Sequence, residues 1–333
     1  MLYAAFALYL YRPHFAALRT WQWLLPVNVL IGALGGFALS RRWVAGFAGS
    51  FLAGAVYGFG PFLLGLARFH PTVGFLAASI PWLFMPAASL GRQRHPIVGI
   101  ALSLLPFLAI ALFFRVSALE DYRLFAAPIQ AELRLVDLVG FIAPLVVVDR
   151  SATLVSLYHV PIAALVLGLA MMVKARRYGI LLILAVGLAL GLCKSYLGPS
   201  AIAWLGVSPI LWLSIPMVGF AVLAGLGLQG LIEAGHSDRK WILAAAISAG
   251  ALAIVTLLLA AEYFQVIFGL ADGYARLCVE AGKMYLLAAL AVGIVFVIAR
   301  QRLRFHWLRW AVLCAAMGID IFLGARYIVD RIL

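Results

Sequence analysis

Residues 241–261 read WILAAAISAGALAIVTLLLAA, a stretch of 21 residues without a charged side chain between Lys240 and Glu262. An α-helix rises about 1.5 Å per residue, so this stretch is about as long as the roughly 30 Å hydrocarbon core of a bilayer is thick. In lipid, backbone N–H and C=O groups must find partners within the protein, and a helix supplies those bonds internally. The stretch is therefore predicted to be a transmembrane helix.

The composition of the whole chain extends this prediction to the rest of the protein. Of the 333 residues, 66% are apolar and 11% are charged, and the mean hydropathy is +1.10. A soluble domain is about 45–50% apolar and about 25% charged, and disordered chains are poor in large apolar residues, so both classes are excluded. The apolar runs also lack the alternation of β-barrel strands. We expect an all-α polytopic integral membrane protein with a single membrane domain over residues 1–333.

About ten segments are apolar and long enough to be transmembrane helices, and several are interrupted by proline or glycine. Tryptophan favours the membrane interface, and Trp23, Trp212, Trp241 and Trp307 all fall near predicted ends. The predicted spans are residues 21–39, 43–67, 73–90, 97–114, 152–173, 178–193, 214–232, 241–261, 284–299 and 310–325.

Other segments are expected to contact the membrane without crossing it. Residues 1–20 begin with an apolar run that is too short to span, so they are predicted to form an interfacial N-terminal segment. Residues 135–148 and 199–213 contain prolines and are short, so both are predicted to be re-entrant or interfacial. Residues 115–150 are expected to cap the outer face and to include a partly inserted helix.

The charges of the chain predict its orientation. The formal net charge is +13, and the basic residues lie in short clusters between apolar runs, as the positive-inside bias produces. Cytoplasmic clusters place both termini outside, and a bacterial source would make this the inner membrane. The expected partners are membrane lipids and, as an alternative, other membrane-protein subunits, but no nucleic acid. The clusters are Arg41 and Arg42, Arg92 and Arg94, Lys174 with Arg176 and Arg177, and Arg300 with Arg302, Arg304 and Arg309.

A parallel repeat of four spans is one interpretation of the chain. Arg41-Arg42 recurs as Arg176-Arg177, and Ser79-Ile80-Pro81 recurs as Ser214-Ile215-Pro216, both at a spacing of 135. The two copies would be residues 21–134 and 152–283, and transporters often carry such symmetry. The residues between the matches align poorly.

Ionisable residues inside apolar segments are costly, and three of them are the candidates for a substrate or ion site. Asp320 lies in the last predicted span, His159 lies near the outer part of span 152–173, and Asp137 lies in segment 135–148. A structural role is the alternative for each, since a buried histidine or carboxylate can also pair with a neighbouring helix. For Asp320, reaching the outer interface is a further structural alternative, and Arg326 follows six residues later.

An acidic cluster is predicted on the outer face. Glu120, Asp121, Glu132 and Asp149 lie between Arg115 and Arg150, the most polar part of the chain. Neither neighbouring carboxylates nor pairs five residues apart share a helix face, so the spacing provides no acid/base pair. The cluster is interpreted as a solvated cap, with a catalytic site as the alternative.

No signature of a known enzyme or cofactor site is present. The chain lacks H-E-x-x-H, a P-loop, a nucleotide-binding glycine motif after a strand and G-x-S-x-G. Cys193, Cys278 and Cys314 are widely spaced, so neither a disulfide framework nor a metal site is expected. We therefore expect no cofactor and no metal, and no catalytic residue is assigned.

Glycine and proline predict close packing and broken helices. Gly32/Gly36, Gly54/Gly58 and Gly187/Gly191 are small-xxx-small pairs, which let two helices approach closely. The run from Gly58 to Pro61 is predicted to break span 43–67. Broken helices are typical of transporter binding sites, although they also occur in structural bundles.

Three function classes agree with these features. A transporter or permease for a small or lipid-like solute explains the broken spans and the few intramembrane charges. A non-catalytic anchoring subunit of a larger membrane complex explains the scarcity of polar groups. A membrane-embedded enzyme that acts on a lipid-linked substrate at the extracytoplasmic face explains the acidic segment, and we expect a transporter more than an enzyme.

Overall fold

The computed structural model describes residues 1–43, 46–66, 71–90, 96–119, 140, 157–174, 178–197, 209–266, 272–301 and 306–333. Every regular element within these ranges is helical, in agreement with the predicted fold class. The α-helices are α1 (Leu2–Tyr11), α2 (Leu24–Trp43), α3 (Phe47–Gly58), α4 (Pro61–Gly65), α5 (Pro71–Leu83), α6 (Met85–Leu90), α7 (Pro96–Ser103), α8 (Leu105–Leu119), α9 (His159–Lys174), α10 (Tyr178–Leu197), α11 (Pro209–Trp212), α12 (Ser214–Glu233), α13 (Arg239–Val266), α14 (Asp272–Arg300) and α15 (His306–Ile332).

Seven helical segments of the described chain are long and apolar enough to cross a membrane. The other three predicted spans coincide with shorter apolar helices, Ile97–Phe113, His159–Val173 and Gly179–Leu192. A membrane protein is therefore supported, whereas the count of about ten spans is not confirmed. The seven segments are Leu24–Trp43, Phe47–Gly65, Thr72–Ser89, Ser214–Glu233, Arg239–Glu262, Gly273–Arg300 and His306–Ile332.

Glycine determines how closely the central helices approach one another. A Cβ added at Gly54 would lie 2.5 Å from the carbonyl oxygen of Ala33, and one added at Gly49 would lie 2.5 Å from that of Gly225. Helix α3 therefore packs backbone to backbone against α2 on one side and α12 on the other. The predicted close approach at Gly54 is confirmed. In lipid, such contacts supply the dispersion energy that holds helices together.

The predicted break in the second span is present. Helix α3 ends at Gly58 and α4 begins at Pro61, with Gly60 in an extended conformation between them. Proline has no N–H to donate and its ring excludes a continuous helix, whereas it suits the first position of a new one. The break leaves the Phe59 carbonyl free to accept a hydrogen bond from another element.

Helix α1 lies against α2 and α15. Its residue Tyr3 stacks on Phe51, and the Tyr3 hydroxyl donates to the Phe51 carbonyl over 2.6 Å. Ten residues of helix are about 15 Å long, which is half the thickness of the hydrocarbon core. That residues 1–20 lie in the interface stays a prediction.

Two residues near predicted span ends are buried within the protein. Arg309, part of the last basic cluster, is 3% exposed and donates to the Ala234 carbonyl just after α12. The cation there compensates the partial negative charge of the helix C-terminus. Trp212 is 4% exposed and stacks on Phe107, whereas Trp307 is 69% exposed, as an interfacial tryptophan would be.

Several predicted features lie largely outside the described residues. Of segment 135–148 only residue 140 is described, and of 199–213 the described part is 209–213, where α11 lies. The predicted outer cap over 115–150 is described only at 115–119 and 140.

The proposed repeat is not tested by these elements. The first copy of its Ser-Ile-Pro match ends at Pro81 inside α5, whereas the second begins α12 at Ser214.

Candidate functional site: a buried histidine–aspartate pair

Asp320 and His159 form a buried pair that joins two helices. His159 Nδ1 lies 2.6 Å from Asp320 Oδ1, although the residues are 161 positions apart in the chain. Their side chains are 4% and 1% exposed, respectively. Two of the three residues chosen from the sequence are therefore in direct contact.

The carboxylate determines which nitrogen of the imidazole carries a proton. Asp320 Oδ2 accepts a hydrogen bond of 3.0 Å from the backbone N–H of Val160. An ionised carboxylate can only accept, so the hydrogen bond to Oδ1 places a proton on His159 Nδ1. In the neutral ring, Nε2 then carries a lone pair. Nε2 is buried and has no hydrogen-bond partner among the described residues.

The start of helix α9 fixes the orientation of the pair. His159 is its first residue, and the Val160 N–H is one of the amides that have no partner within a helix. Asp320, in the middle of α15, satisfies this amide from outside. The carboxylate also lies where the partial positive charge of the α9 N-terminus stabilises it.

Aromatic side chains enclose the imidazole. The rings of His159 and Tyr285 meet edge to face, with centroids 4.4 Å apart. The hydroxyl of the preceding residue, Tyr158, donates to the Phe59 carbonyl that the break between α3 and α4 frees. The broken span thus contributes directly to the position of residues 158 and 159.

A cavity of about 200 Å³ adjoins the pair. It lies between the start of α9, the first half of α14, the second half of α15 and the N-terminal residue of α4. Drug-sized ligands occupy cavities of about 300–1,000 Å³, so this volume fits a smaller molecule. The lining residues are Pro61, Tyr158, His159, Glu280, Met284, Asp320, Leu323, Gly324 and Tyr327.

Charged side chains lie at the rim of this cavity. Glu280 is about half exposed and accepts a hydrogen bond of 2.6 Å from Lys283 on the same helix. Tyr327 lines the cavity and is covered by Arg331, whose guanidinium carbon lies 5.7 Å from the ring centroid. The cavity therefore has a charged pair at its rim and a buried ionisable pair inside, while the rest of its lining is mostly apolar.

Asp320 pairs with a neighbouring helix, and Arg326 of its own helix has a different partner. Arg326 instead lies 3.5 Å from Asp330, one helical turn further on, and Asp330 also contacts His14 at 3.0 Å. Residues six apart lie on different sides of a helix, whereas residues four apart are neighbours. The histidine on α9 is the partner of Asp320.

The other predicted site residues cannot be placed. Asp137, Glu120, Asp121, Glu132 and Asp149 all lie outside the described residues. Sequence reasoning also missed Tyr158, Tyr285 and Tyr327, because an aromatic residue in an apolar span is ordinary. The charge spacing around Glu280 is typical of a structural helix, so the sequence did not mark Glu280 as a site residue. Glu280 and Met284 are four residues apart and therefore share a helix face, which was the one signal in the sequence that they could line the same cavity.

Two further pockets lie away from the pair. An apolar groove of about 520 Å³ lies between α1, α3 and α15 and is lined by Phe6, Phe51 and Met317, among others. A smaller pocket of about 130 Å³ lies beside Arg12, Arg326 and Asp330. Among the described residues, no group of three or more histidine, cysteine or acidic side chains is arranged to hold a metal ion. Cys278 and Cys314 are thiols, not halves of a disulfide.

Comparison with protein-family models, curated proteins and solved structures finds no match to this chain.

Proposed function

We propose that the protein is a membrane transporter or permease for a small solute, which binds in the cavity beside His159 and Asp320. The observation that carries the proposal is the buried pair itself, which lines a cavity and in which Nε2 of His159 is buried without a hydrogen-bond partner among the described residues. Burying two ionisable groups in a membrane protein carries a desolvation penalty, and apolar residues of similar size would pack as well or better. Such groups mark solute and proton pathways more often than they stabilise a fold.

The broken helix beside the cavity supports the same proposal. Transporters commonly build binding sites where an unwound segment interrupts a spanning helix, because the free backbone groups and helix ends there can contact a solute. Here the Gly58–Pro61 break, the α9 N-terminus and Asp320 lie around one cavity. We further propose about ten spans with both termini outside, in a bacterial inner membrane if the source is bacterial.

A solute-mixture assay tests the proposal and does not require the substrate to be identified first. Proteoliposomes would be loaded with equal concentrations of small cationic, anionic and neutral solutes, and the retained solutes measured by mass spectrometry. We expect the protein to deplete a subset of solutes, and Asp320→Asn to abolish the depletion while still reconstituting. Asp330→Asn alters a carboxylate that also pairs with a histidine but lies at the surface, and this control should transport normally.

Equal retention of every solute by protein-containing and empty liposomes would argue against transport. So would depletion that survives in both Asp320→Asn and His159→Ala, because the cavity beside the pair would then have no part in it.

A membrane-embedded enzyme is the second candidate, favoured by the direction of the hydrogen bond. A carboxylate on Nδ1 leaves Nε2 as the basic atom, which is how histidine acts as a general base in many hydrolases and transferases. No serine, threonine or cysteine is among the described residues lining the cavity, so His159 would have to deprotonate water or a substrate hydroxyl. Chemically altered solutes in the same mass spectra, rather than displaced ones, would favour this candidate.

A further inference from the structure

The cavity has an unbalanced negative charge when His159 is neutral. With Asp320 ionised, its only charged neighbour among the described residues would be a protonated His159. The α9 N-terminus offsets part of this charge, at roughly half an elementary charge. At the rim, the ammonium group of Lys283 is paired with Glu280 and therefore does not neutralise Asp320. The empty cavity is therefore suited to receiving one positive charge.

Two species can supply that charge, and they exclude each other. A proton can bind Nε2 of His159, or a cation can occupy the cavity beside the neutral ring. Two positive charges a few ångströms apart repel each other by several kcal/mol at an effective dielectric constant of about 20. Entry of one cation therefore releases one proton from Nε2 to water, and the charge in the cavity is unchanged.

No lysine or arginine is among the described residues that line the cavity. The titratable groups that line it or touch the imidazole are Asp320 and Tyr327 of α15, Glu280 and Tyr285 of α14, and the preceding Tyr158. The basic residues described on α14 and α15 have other partners or are exposed: Lys283 pairs with Glu280, Arg326 with Asp330, Arg309 with the Ala234 carbonyl, Arg331 lies over Tyr327, and Arg276, Arg300 and His306 are exposed. Helices α12 and α13 also pack against α9, and their described charged residues lie near their ends: Glu233, Arg239, Lys240 and Glu262.

The lining also indicates which cation fits. Nε2 of neutral His159 is a buried acceptor, so a ligand that carries an N–H or O–H group can satisfy it once the imidazole turns towards the cavity. The rings of Tyr158 and Tyr327 favour a positive charge, while Met284 and Leu323 favour a short apolar tail. An anion is disfavoured because it would approach the Asp320 carboxylate.

We propose that this cavity binds a small primary ammonium ion in exchange for the proton on His159, which would make the protein a proton-linked carrier of organic amines. The inference rests on the proposed transport function but is tested separately, by binding alone.

Propylammonium, propionate and propanol form a matched set of probes, equal in length and different in charge. Titration calorimetry on the protein in nanodiscs, in two buffers with different ionisation enthalpies, gives both the affinity and the number of protons released. We expect propylammonium to bind better than the other two. Each bound cation should release up to one proton, and the number released should fall as the pH of the titration is raised.

Variants separate the two parts of the inference. His159→Gln keeps a hydrogen-bond acceptor and should bind propylammonium without releasing a proton. Asp320→Asn should weaken propylammonium binding by about tenfold or more, since it removes the buried negative charge. His14→Gln changes the other paired histidine, at the protein surface, and should match the unaltered protein in both affinity and proton release.

Preferred binding of propionate or propanol, binding without proton release at any pH, or no binding of the three probes would each overturn the inference. These outcomes leave the proposed function intact if the solute mixture shows transport of an anion or a neutral solute. Conversely, amine binding with proton release but no transport would count against the transporter and not against the site.

Discussion

Asp320 is the residue on which the geometry of the candidate site depends. Its two oxygens hold the His159 ring and the Val160 amide at once, so the start of α9 and the orientation of the imidazole are set together. Removing one partner of a buried pair leaves the other unsatisfied, which costs about 3–5 kcal/mol. Replacing both with apolar residues of similar size leaves nothing unsatisfied in the pair itself.

Asp320→Leu is expected to lower the free energy of unfolding by about 3–5 kcal/mol, since it strands both His159 Nδ1 and the Val160 N–H. His159→Phe combined with Asp320→Leu should be less destabilised than Asp320→Leu alone. Asp330→Leu, at an exposed pair, should change stability by less than about 1 kcal/mol. Unfolding by denaturant in detergent micelles measures these variants, His159→Phe alone and the unaltered protein. A double variant as unstable as the sum of both single changes would contradict this view of the pair.

The hydroxyl of Tyr158 tests the link between the site and the helix break. Tyr158→Phe leaves the buried Phe59 carbonyl without its hydrogen bond, and we expect a loss of about 1–3 kcal/mol. Tyr9→Phe removes a hydroxyl from an exposed side chain on α1 and should have little effect. Solute transport or amine binding should fall in Tyr158→Phe as well, because His159 follows directly in the chain. Unchanged stability and binding would show that the broken span does not position the pair.

At the scale of the elements, α3 is held between α2 and α12 by contacts that only glycine permits. The Gly49–Gly225 crossing brings two backbones together, so an added methyl group has no flexible side chain to displace. The glycines at 250 and 293 are different, because nothing lies within 4 Å of a Cβ added there. The two kinds of position provide a matched comparison of the same substitution.

Gly225→Ala is expected to destabilise the protein by about 1–3 kcal/mol, because the methyl group would separate α3 from α12. Gly250→Ala should be neutral or slightly stabilising, since alanine is the better helix former by about 1 kcal/mol. Thermal unfolding of both variants in the same detergent measures the difference. Equal melting temperatures would mean that α3 and α12 do not depend on this crossing.

At the scale of the whole molecule, the first and last parts of the described chain meet. His14, just after α1, contacts Asp330 near the end of α15. Both residues therefore lie at one end of the bundle, as an even number of spans requires. The cavity lies towards that same end, because α9 and α14 begin there and α15 ends there.

A reporter fused after residue 333 tests the orientation. With the predicted outside termini, a C-terminal alkaline phosphatase should be active and a C-terminal fluorescent protein dark in a bacterial host. A reporter inserted at 235, between α12 and α13, should give the opposite pattern. If the reporters at 235 and after 333 lay on the same side of the membrane, the predicted odd number of spans between these two positions would be wrong.

Native mass spectrometry of the protein extracted gently from its own membranes tests whether it acts alone. A transporter is expected as a monomer or homo-oligomer that carries lipid or solute. Stoichiometric partner chains would instead support the anchoring-subunit hypothesis and direct attention to the small-residue helix faces.

Most of the local structure could be predicted from the sequence. The apolar run 241–261 lies within α13, and the glycine–proline run breaks the second span at the expected place. Both predictions rest on properties of neighbouring residues, namely their hydrophobicity and the geometry of proline. The burial of Trp212 and Arg309 could not be predicted, because it depends on distant elements, Phe107 for one and the end of α12 for the other.

The sequence by itself determined that this chain belongs in a membrane, that it is helical, and that Asp320 and His159 are unusual residues there. These conclusions follow from the cost of placing charge and backbone polar groups in lipid, which each segment faces separately. Only the tertiary structure decided that the two residues are one site, joined over 2.6 Å beside a cavity that Glu280, Tyr158 and Tyr327 line. Contacts between residues 161 positions apart depend on how α9, α14 and α15 pack together, and no local pattern encodes that packing.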